Sequence, residues 1–577
     1  MLPWFDENPA RYWWLVCCVL TAALFIVLRP LLRPDWKDSK RTDWGWSLVI
    51  FAVLMAGRWP TWFVTRQLNP DESQLIAGAM TLRNDPVFWR SVDGGTAGPF
   101  DFYALWPMGW LHGTDDYFSA RVTALVLIAA ALIFAHQGVA LVFGRMAARV
   151  TGFAAVCFES LTFHDELLHY STELVPMGLL AAACFLMVRR FVANADWRWN
   201  IVGGLLLGAM PLAKLQASPL AALSGLGWLA GEIWWKSRSA ADRWKGLTAL
   251  CIGSIAPPMA CALMLTATSQ WRHAVIPYVL YNVGYVGTAN LSWKEVFSRL
   301  WANSAHPESL LGWWLAGGTG WMLCTFPLPR VAARPPRLVA VAAGALCLAS
   351  LACILVPQRP FLHYWQLLVV PWTLATGALT GLAVLELEKR RPVLRSGVLC
   401  AASVVTTGGM LWRQAGQVHP YVGRMALYQK YPRGPVAQKL REYAHRGEAL
   451  GVWGWTGNPY YVEAGLRQAT RNAHSFASVF DSPYYDYFRQ RYLADLRRST
   501  PPVFIDVMAP DKTTTDFAFR NGLLRHDNIF PELAEYMQTH YTEVAEIQGT
   551  RIYARNDRAG TPHQGCWKPN GTRSPTP

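Results

Sequence analysis

Asn69-Pro70-Asp71-Glu72 follows an apolar stretch directly and opens a polar loop that runs to about residue 116. Carboxylates at the edge of an apolar segment are costly, and where they occur they usually have a task. An ionised carboxylate there can accept a proton from an incoming hydroxyl or hold a cation. Asp71 and Glu72 are therefore the first catalytic candidates. Pro70 suits the first turn of a helix with Asn69 as its cap, and Ala77, Ala79, Met80 and Leu82 have the spacing of a short amphipathic helix lying along an interface. At such a helix start the macrodipole favours the ionised carboxylate. By residue type alone, an inert helix cap would look the same.

A second polar turn, Phe163-His164-Asp165-Glu166-Leu167-Leu168-His169-Tyr170-Ser171-Thr172-Glu173, carries three carboxylates and two histidines where a plain connection would suffice. Two carboxylates, one from each loop, could share a divalent cation such as Mg or Mn. Alternatively, one could orient the other. Lys214 interrupts an apolar region and calls for an anion, for which lipid phosphate is the obvious source; a lysine snorkelling to the interface is the plainer alternative. Arg359, His363 and Tyr364 form a comparable group in Arg-Pro-Phe-Leu-His-Tyr-Trp, and an arginine can grip phosphate through two parallel hydrogen bonds. Arg272 and His273 are a weaker pair of the same kind. Asp101 and Tyr103, after the flexible Gly94-Gly95-Thr96-Ala97-Gly98-Pro99 crossing, are candidate contacts to an acceptor or sugar. So are Trp453 and Trp455 in Val-Trp-Gly-Trp, just past the end of a strand-like run, where ligands collect in α/β sheets.

The elements that must position these groups are apolar helices. Of 577 residues 52% are hydrophobic and 29 are tryptophan. Uncharged runs long enough to cross about 30 Å of hydrocarbon recur along the chain, with tryptophans gathered near their ends. Spans are expected near 12–29, 45–64, 118–143, 148–162, 172–188, 199–213, 218–235, 247–266, 308–326, 338–356, 363–385 and 395–412. Every second connection is short and basic (29–41, 145–149, 189–198, 236–245, 330–337, 389–395), which places those connections in the cytoplasm by the positive-inside rule. The net charge of +15 is thus laid out for a bilayer, and no nucleic acid is implied. The 11 cysteines, all but Cys566 in or beside apolar spans, read as small hydrophobes; neither CxxC nor Cys/His ligand spacing occurs. The first span is too long, and too far from a small-residue cleavage site, for a signal peptide.

The expected organisation is a polytopic α-helical membrane domain of about twelve helices over 1–412, with exterior loops at 66–117 and 267–307. An extracytoplasmic α/β domain follows over 413–555, then a disordered tail over 556–577. Within 413–555, 449–455 and 503–507 read as buried strands, 434–444 as an amphipathic helix, and 541–554 as a strand pair around Gly549.

Asp-Glu, an Ala-x-Ala-x-x-Leu helix, Gly-Pro-x-x-x-Tyr-x-Leu and Ser119-Ala120-Arg121-Val122 together resemble the first loop of the C-type (GT-C) glycosyltransferases. The likeness is to the branch of family 39 protein mannosyltransferases and lipid A aminoarabinose transferases. This chain has Ala97-Gly98-Pro99 where that family often has Lys-Pro-Pro or Gly-Pro-Pro. The resemblance implies a multi-pass, bacterial inner or plasma membrane enzyme with those loops and the C-terminal domain outside. It would transfer a hexosyl or pentosyl group, with inversion, from a polyprenyl-phosphate donor to a lipid, glycan or protein acceptor. It carries the catalytic role to Asp71, with Glu72 beside it, and the second carboxylate to Glu173, with Asp165 and Glu166 as alternatives; Asp71 and Glu173 would then be the ligands of a divalent cation if one is held. Lys214, Arg359, His363 and Tyr364 fall where the family contacts donor phosphate. Neither nucleotide nor flavin is implied. The alternatives are a transporter or flippase of lipid-linked glycans, and a non-catalytic polysaccharide-assembly partner.

Overall fold

A computed structural model describes residues 2–560 except 33–39, 235–237, 287–291, 326–333, 360, 391, 416, 418, 480–481 and 509–523. Parts of the basic connections 29–41, 236–245, 330–337 and 389–395, and of the second exterior loop, lie outside the described residues. So does the expected tail beyond residue 560. The chain divides into two compact units, residues 1–64 with 95–430 and residues 65–94 with 431–577.

The first unit is helical. Its long helices are Ala10–Leu32, Lys40–Arg58, Tyr117–Phe143, Arg145–Leu161, Leu174–Val192, Trp199–Ala213, Ser218–Trp234, Ala240–Thr268, Leu311–Thr325, Arg334–Leu355, Gln366–Arg390 and Pro392–Ala415, so each expected span falls on a helix. Among the described residues, six helical stretches are long and apolar enough to cross a bilayer: Ala10–Arg29, Tyr117–Phe143, Leu174–Val192, Ala240–Thr268, Pro336–Leu355 and Leu362–Glu386. The chain is an integral membrane protein.

Sequence explains how these helices start and how they meet. Asp116 and Ser119 form a reciprocal capping box at the head of Tyr117–Phe143, and Ser239 caps Ala240–Thr268. Trp199–Ala213 and Ala240–Thr268 come together through glycines: a Cβ on Gly253 would lie 2.2 Å from the Ile201 oxygen, and one on Gly204 would lie 2.4 Å from the Leu250 oxygen. Small residues allow such backbone contact where helices cannot rely on a hydrophobic drive between them. At one end of the same helices Arg190 is buried against Glu232 at 2.5 Å and Asp242 at 3.0 Å, and Asn200 donates to Glu232 at 2.8 Å.

The second unit is a five-stranded mixed sheet flanked by helices. The strands are β1 (Ala449–Trp453), β2 (Arg467–Gln468), β3 (Val503–Asp506), β4 (Tyr541–Ile547) and β5 (Thr550–Arg555), in the order β2-β1-β3-β5-β4. β1 runs parallel to β2 and β3, and β5 runs antiparallel to β3 and β4. Gln548 and Gly549 both have positive φ, the two-residue turn that matches the twist of a hairpin. The helix expected over 434–444 is shorter, Pro435–Leu440. Residues 556–559, expected to be disordered, form a helical turn, Asn556–Ala559, because Arg555 pairs with Asp557 and Arg558 with Glu448.

One element departs from its expected setting. Helix Pro70–Leu82 was expected to lie half-buried along a membrane interface. Instead Leu75, Ile76, Ala77, Ala79 and Leu82 are all buried, and Ala77 joins the sheet's core with Val436, Leu440, Leu450, Val452, Val503 and Ile552. The Thr81 hydroxyl accepts the Gln468 N–H at 3.0 Å, and Asp93 pairs with Arg491 at 2.5 Å. Segment 65–94 therefore groups with 431–577 and not with the helices on either side of it in sequence. A helix whose apolar residues lie on more than one face needs a core, and the sheet supplies one.

The glycine contact can be tested directly. Gly253→Val should lower the thermal midpoint in detergent, at an overpacking cost of about 1–3 kcal/mol. Gly344→Val, where a Cβ meets nothing within 4 Å, should leave the midpoint nearly unchanged.

Candidate active site

In the first unit, chain segments far apart in sequence meet around Lys214. Helix Trp199–Ala213 stops at Lys214, whose backbone is extended (φ −146°, ψ 121°) before a 3-10 turn, Leu215–Ala217. This break frees backbone groups. Lys214 forms an isolated antiparallel bridge with Ala97, and the Gly98 N–H donates to the Ala213 carbonyl at 2.6 Å. Gly98 is required: a Cβ there would sit 2.1 Å from the Leu212 oxygen. The flexible crossing of the first loop is thus tied to the broken helix.

The Lys214 ammonium is buried. It donates to the Thr172 hydroxyl at 2.6 Å and to Glu173, and it lies 4.7 Å from the centre of the Tyr364 ring. Glu173 is also buried; one of its oxygens is engaged by Lys214 and the other has no hydrogen-bond partner. Asp101, on the short helix Pro99–Tyr103, is buried as well, with neither carboxyl oxygen hydrogen-bonded, while its backbone carbonyl accepts the Tyr170 hydroxyl at 2.7 Å. Burial first of all, and the negative charge of Glu173 in addition, hold the Asp101 carboxyl well above the usual carboxylate range; Lys214 only partly offsets them.

Glu166 secures the segment that supplies Tyr364. Its carboxylate accepts the Leu362 N–H at 2.6 Å and the His363 N–H at 3.3 Å, and it lies 3.2 Å from the His363 ring nitrogen. Burial works against the charged Glu166, but the His363 ring outweighs it and brings the carboxyl down to about 2. Asp165 accepts the Tyr421 hydroxyl. The whole turn is anchored from below by Arg58, which pairs with Glu159 at 2.8 Å and donates to the Leu167 carbonyl at 2.8 Å. An apolar cavity of about 260 Å³ opens between the helices of this unit, walled by Trp314, Trp321, Trp372, Thr373 and Thr376.

Asp71 and Glu72 are found in the second unit, in the first turn of Pro70–Leu82, with the Asn69 side chain accepting the Asp71 N–H at 2.9 Å. The two acids differ. Glu72 is buried and accepts the Leu68 N–H at 3.1 Å, which is a structural fastening, whereas Asp71 is only partly buried. Trp453 and Trp455 also part company. Gly454, at φ +109°, turns the chain so that Trp453 enters the core and donates to the Leu524 carbonyl at 3.0 Å. Trp453 is therefore no sugar contact: its ring has no exposed face. Trp455 stays partly exposed, stacked on His474 at 4.4 Å.

The structure thus joins Glu173, Lys214, His363, Tyr364 and Glu166 through direct contacts, with Asp101 buried beside Lys214 and Glu173. Arg359, Tyr103, Arg272 and His273 are not among the residues these contacts join; the Tyr103 ring lies against Trp106 at 5.0 Å. Tyr170, Thr172 and the Arg58–Glu159 pair were not singled out by sequence. Glu159 carried a usable signal, a carboxylate at the end of an apolar run. Asp101, a candidate contact to an acceptor or sugar, has no solvent-exposed atom. The Lys214 ammonium engages one Glu173 oxygen, and the other is without a hydrogen-bond partner. Among the described residues, Asp506, His526 and Asp527 bring potential metal ligands within 4.8 Å of one another. Asp506 already accepts from His526 at 2.6 Å, however, and Asp527 pairs with Arg551 at 2.9 Å.

No protein-family profile and no curated protein matches the chain. Among solved structures it is similar to ArnT from Cupriavidus metallidurans in the apo state, at 15% identity and a TM-score of 0.49, covering 89% of this chain and 98% of that one. It is similar to the same protein bound to undecaprenyl phosphate, at 14% identity and a TM-score of 0.42, over 88% of this chain and 98% of that one. It is also similar to the Archaeoglobus fulgidus oligosaccharyltransferase AglB in complex with an inhibitory peptide and a dolichol-phosphate, at 13% identity and a TM-score of 0.42, over 95% and 74%. At these identities and scores the likenesses assign no residue a role.

Two outcomes follow from the geometry. Lys214→Ala leaves Glu173 buried without its partner and should cost about 3–5 kcal/mol in a detergent melt, while Lys214→Met with Glu173→Gln should recover most of that loss. Glu166 has a folded pKa of about 2 against an ordinary 4.5, so its stabilisation is full above pH 4.5 and is lost as pH falls through 2. The acid-side fall in melting temperature between those values should be smaller in Glu166→Gln than in wild type.

Proposed function

We propose that this chain is an inverting glycosyltransferase that moves a sugar from a polyprenyl-phosphate donor to an acceptor hydroxyl on the extracytoplasmic face of the membrane. The observation that carries the reading is the buried Lys214 ammonium, held between Glu173, Thr172 and Tyr364 in a unit built of membrane-spanning helices. A cation buried at such cost suits an anion that arrives with a lipid. The apolar cavity walled by Trp314 and Trp372 is in keeping with an isoprenoid chain.

In this reading the helices form a twelve-span membrane domain over 1–412, with the loops 66–117 and 267–307 and the domain 413–555 outside. The donor phosphate takes over Lys214 from Glu173, so the carboxylate holds the ammonium in place until its ligand arrives. Tyr364 and His363 line the same place, and Arg359 assists. Asp71 removes the proton from the acceptor hydroxyl as that oxygen attacks the anomeric carbon from the face opposite the phosphate, which inverts the centre. General-base help of this sort is worth about 10²–10⁴-fold. Stabilising the charge that grows on the departing phosphate supplies the larger share. Trp455 is the remaining aromatic candidate for the acceptor, which is a lipid, a glycan or a protein. No step is routed through a metal.

The test uses Asp71→Asn in proteoliposomes with a lipid-linked sugar donor. The variant should lose at least about 100-fold in transfer while still retaining donor. Unchanged transfer would sink the assignment of Asp71. Lipid-linked glycan crossing the bilayer at the wild-type rate with no transfer in either protein would mark a flippase.

A further inference from the structure

Asp101 has no part in the chemistry described so far, and its setting is unusual. Its carboxyl is fully buried and both oxygens lack hydrogen-bond partners, an arrangement that native structures seldom leave without a use. The short helix that carries it is fixed to the phosphate candidate through the Ala97–Lys214 bridge and the Gly98–Ala213 hydrogen bond. The titratable groups that face it are Lys214 at the helix break, Glu173 at the head of Leu174–Val192, Tyr170 in the second turn and Tyr278 in the Val275–Leu280 segment. The Tyr170 hydroxyl is committed to the Asp101 backbone carbonyl, and the Tyr278 hydroxyl to the Pro211 carbonyl at 2.7 Å. Neither hydroxyl is left to support an ionised Asp101.

One cation and two carboxyls share this place, and the cation is already committed to Glu173. A second ionised carboxylate would be buried with neither a counter-charge nor a hydrogen bond, which is the situation a carboxyl avoids by keeping its proton. A buried carboxylic acid has one O–H to donate. In this structure that proton meets no acceptor: the free Glu173 oxygen is likewise without a partner. The missing acceptor must come with the ligand, and beside Lys214 that ligand is an anion.

We propose that Asp101 is kept as the neutral acid and donates its O–H to a phosphate oxygen of the lipid-linked donor, so that it and Lys214 hold the leaving group together. This rests on the transferase reading. During transfer the bond between the anomeric carbon and the phosphate oxygen breaks, and its electron pair goes to that oxygen. The new bond forms to the acceptor oxygen, whose proton goes to Asp71. The donor enters as a singly charged diester and leaves as a monoester with one more negative charge. A hydrogen bond from Asp101 therefore strengthens as the reaction proceeds, which is the condition for lowering the barrier and not only for binding. A carboxylate in the same position would repel the charge that is growing.

Asparagine keeps a donor and stays neutral; alanine does not keep one. Asp101→Asn should hold transfer within about tenfold of wild type, and Asp101→Ala should lose on the order of 10²-fold in kcat, the size expected for one preorganised donor. Because the acid form is the active one, the wild-type rate should fall as pH rises through the Asp101 pKa, and Asp101→Asn should lack that alkaline limb. Asp101→Leu, an apolar residue of similar size, repeats the alanine test if alanine does not fold. Infrared difference spectra of the full chain in nanodiscs, with undecaprenyl phosphate as the probe, give a readout independent of turnover. Wild type should show a carboxylic-acid C=O band that shifts when the probe binds and that Asp101→Asn lacks. Absence of that band, a band unmoved by the probe, or Asp101→Asn as inactive as Asp101→Ala would each overturn the proposal. Loss of all transfer in wild type with the band shift intact would overturn the transferase reading and leave the phosphate contact standing.

Discussion

The first unit is organised around the cost of burying the Lys214 charge. An ammonium taken out of water needs a counter-charge, further acceptors and good geometry at once, and no single helix provides all three. Here the counter-charge comes from Glu173, a neutral acceptor from Thr172 and a ring face from Tyr364. The helix that carries the lysine must also stop at that residue. A regular helix would have spent the Ala213 carbonyl and the Lys214 backbone on itself; broken, they are free to hold Gly98 and Ala97. One interruption therefore positions the cation and fastens the first loop's glycine crossing against it.

Other buried pairs use the same electrostatics with a different result. Arg58 with Glu159, Arg190 with Glu232 and Asp242, and Asp93 with Arg491 each carry a guanidinium, whose planar array of donors meets carboxylates and carbonyls together. These arginines lock helix ends or loops in place. The group around Lys214 leaves a Glu173 oxygen and both Asp101 oxygens unmatched, and the arginine clusters leave one Glu159 oxygen and the Asn200 amide oxygen. What sets the Lys214 group apart is a carboxyl, Asp101, with neither oxygen hydrogen-bonded.

The second unit shows how a short apolar helix chooses its surroundings. Pro70–Leu82 is apolar on more than one face, so contact with a sheet buries more of it than an interface could. Asp71 consequently stands at the start of a well-packed helix whose cap and first turn are fully specified. In the proposed reaction that rigidity serves Asp71, because its direction is set by backbone and not by a loop. Glu72, its neighbour, is spent on holding Leu68.

Local physics made much of this legible from the sequence. Apolar run length located the helices, because hydrocarbon thickness sets a minimum span. Alternation and turn chemistry located β1, β3 and the β4–β5 hairpin, because Gly549 can take positive φ. A charge in apolar surroundings pointed to Lys214, an unusually polar turn to Glu166 and Glu173, and a cluster of polar and aromatic residues before a span to His363, because such groups need partners wherever they end up. Tertiary structure alone decided which partner each would find. Trp453 and Trp455 are two residues apart and alike in type, yet one is core and the other partly exposed, and only the turn at Gly454 distinguishes them. Nothing near Asp101 in sequence indicates that it is buried without a hydrogen bond beside an ion pair, since Lys214 and Glu173 come from helices more than 70 residues away. Side-chain chemistry and periodicity act over a few residues and can be read along the chain, whereas burial and pairing are long-range and depend on what the rest of the fold brings alongside.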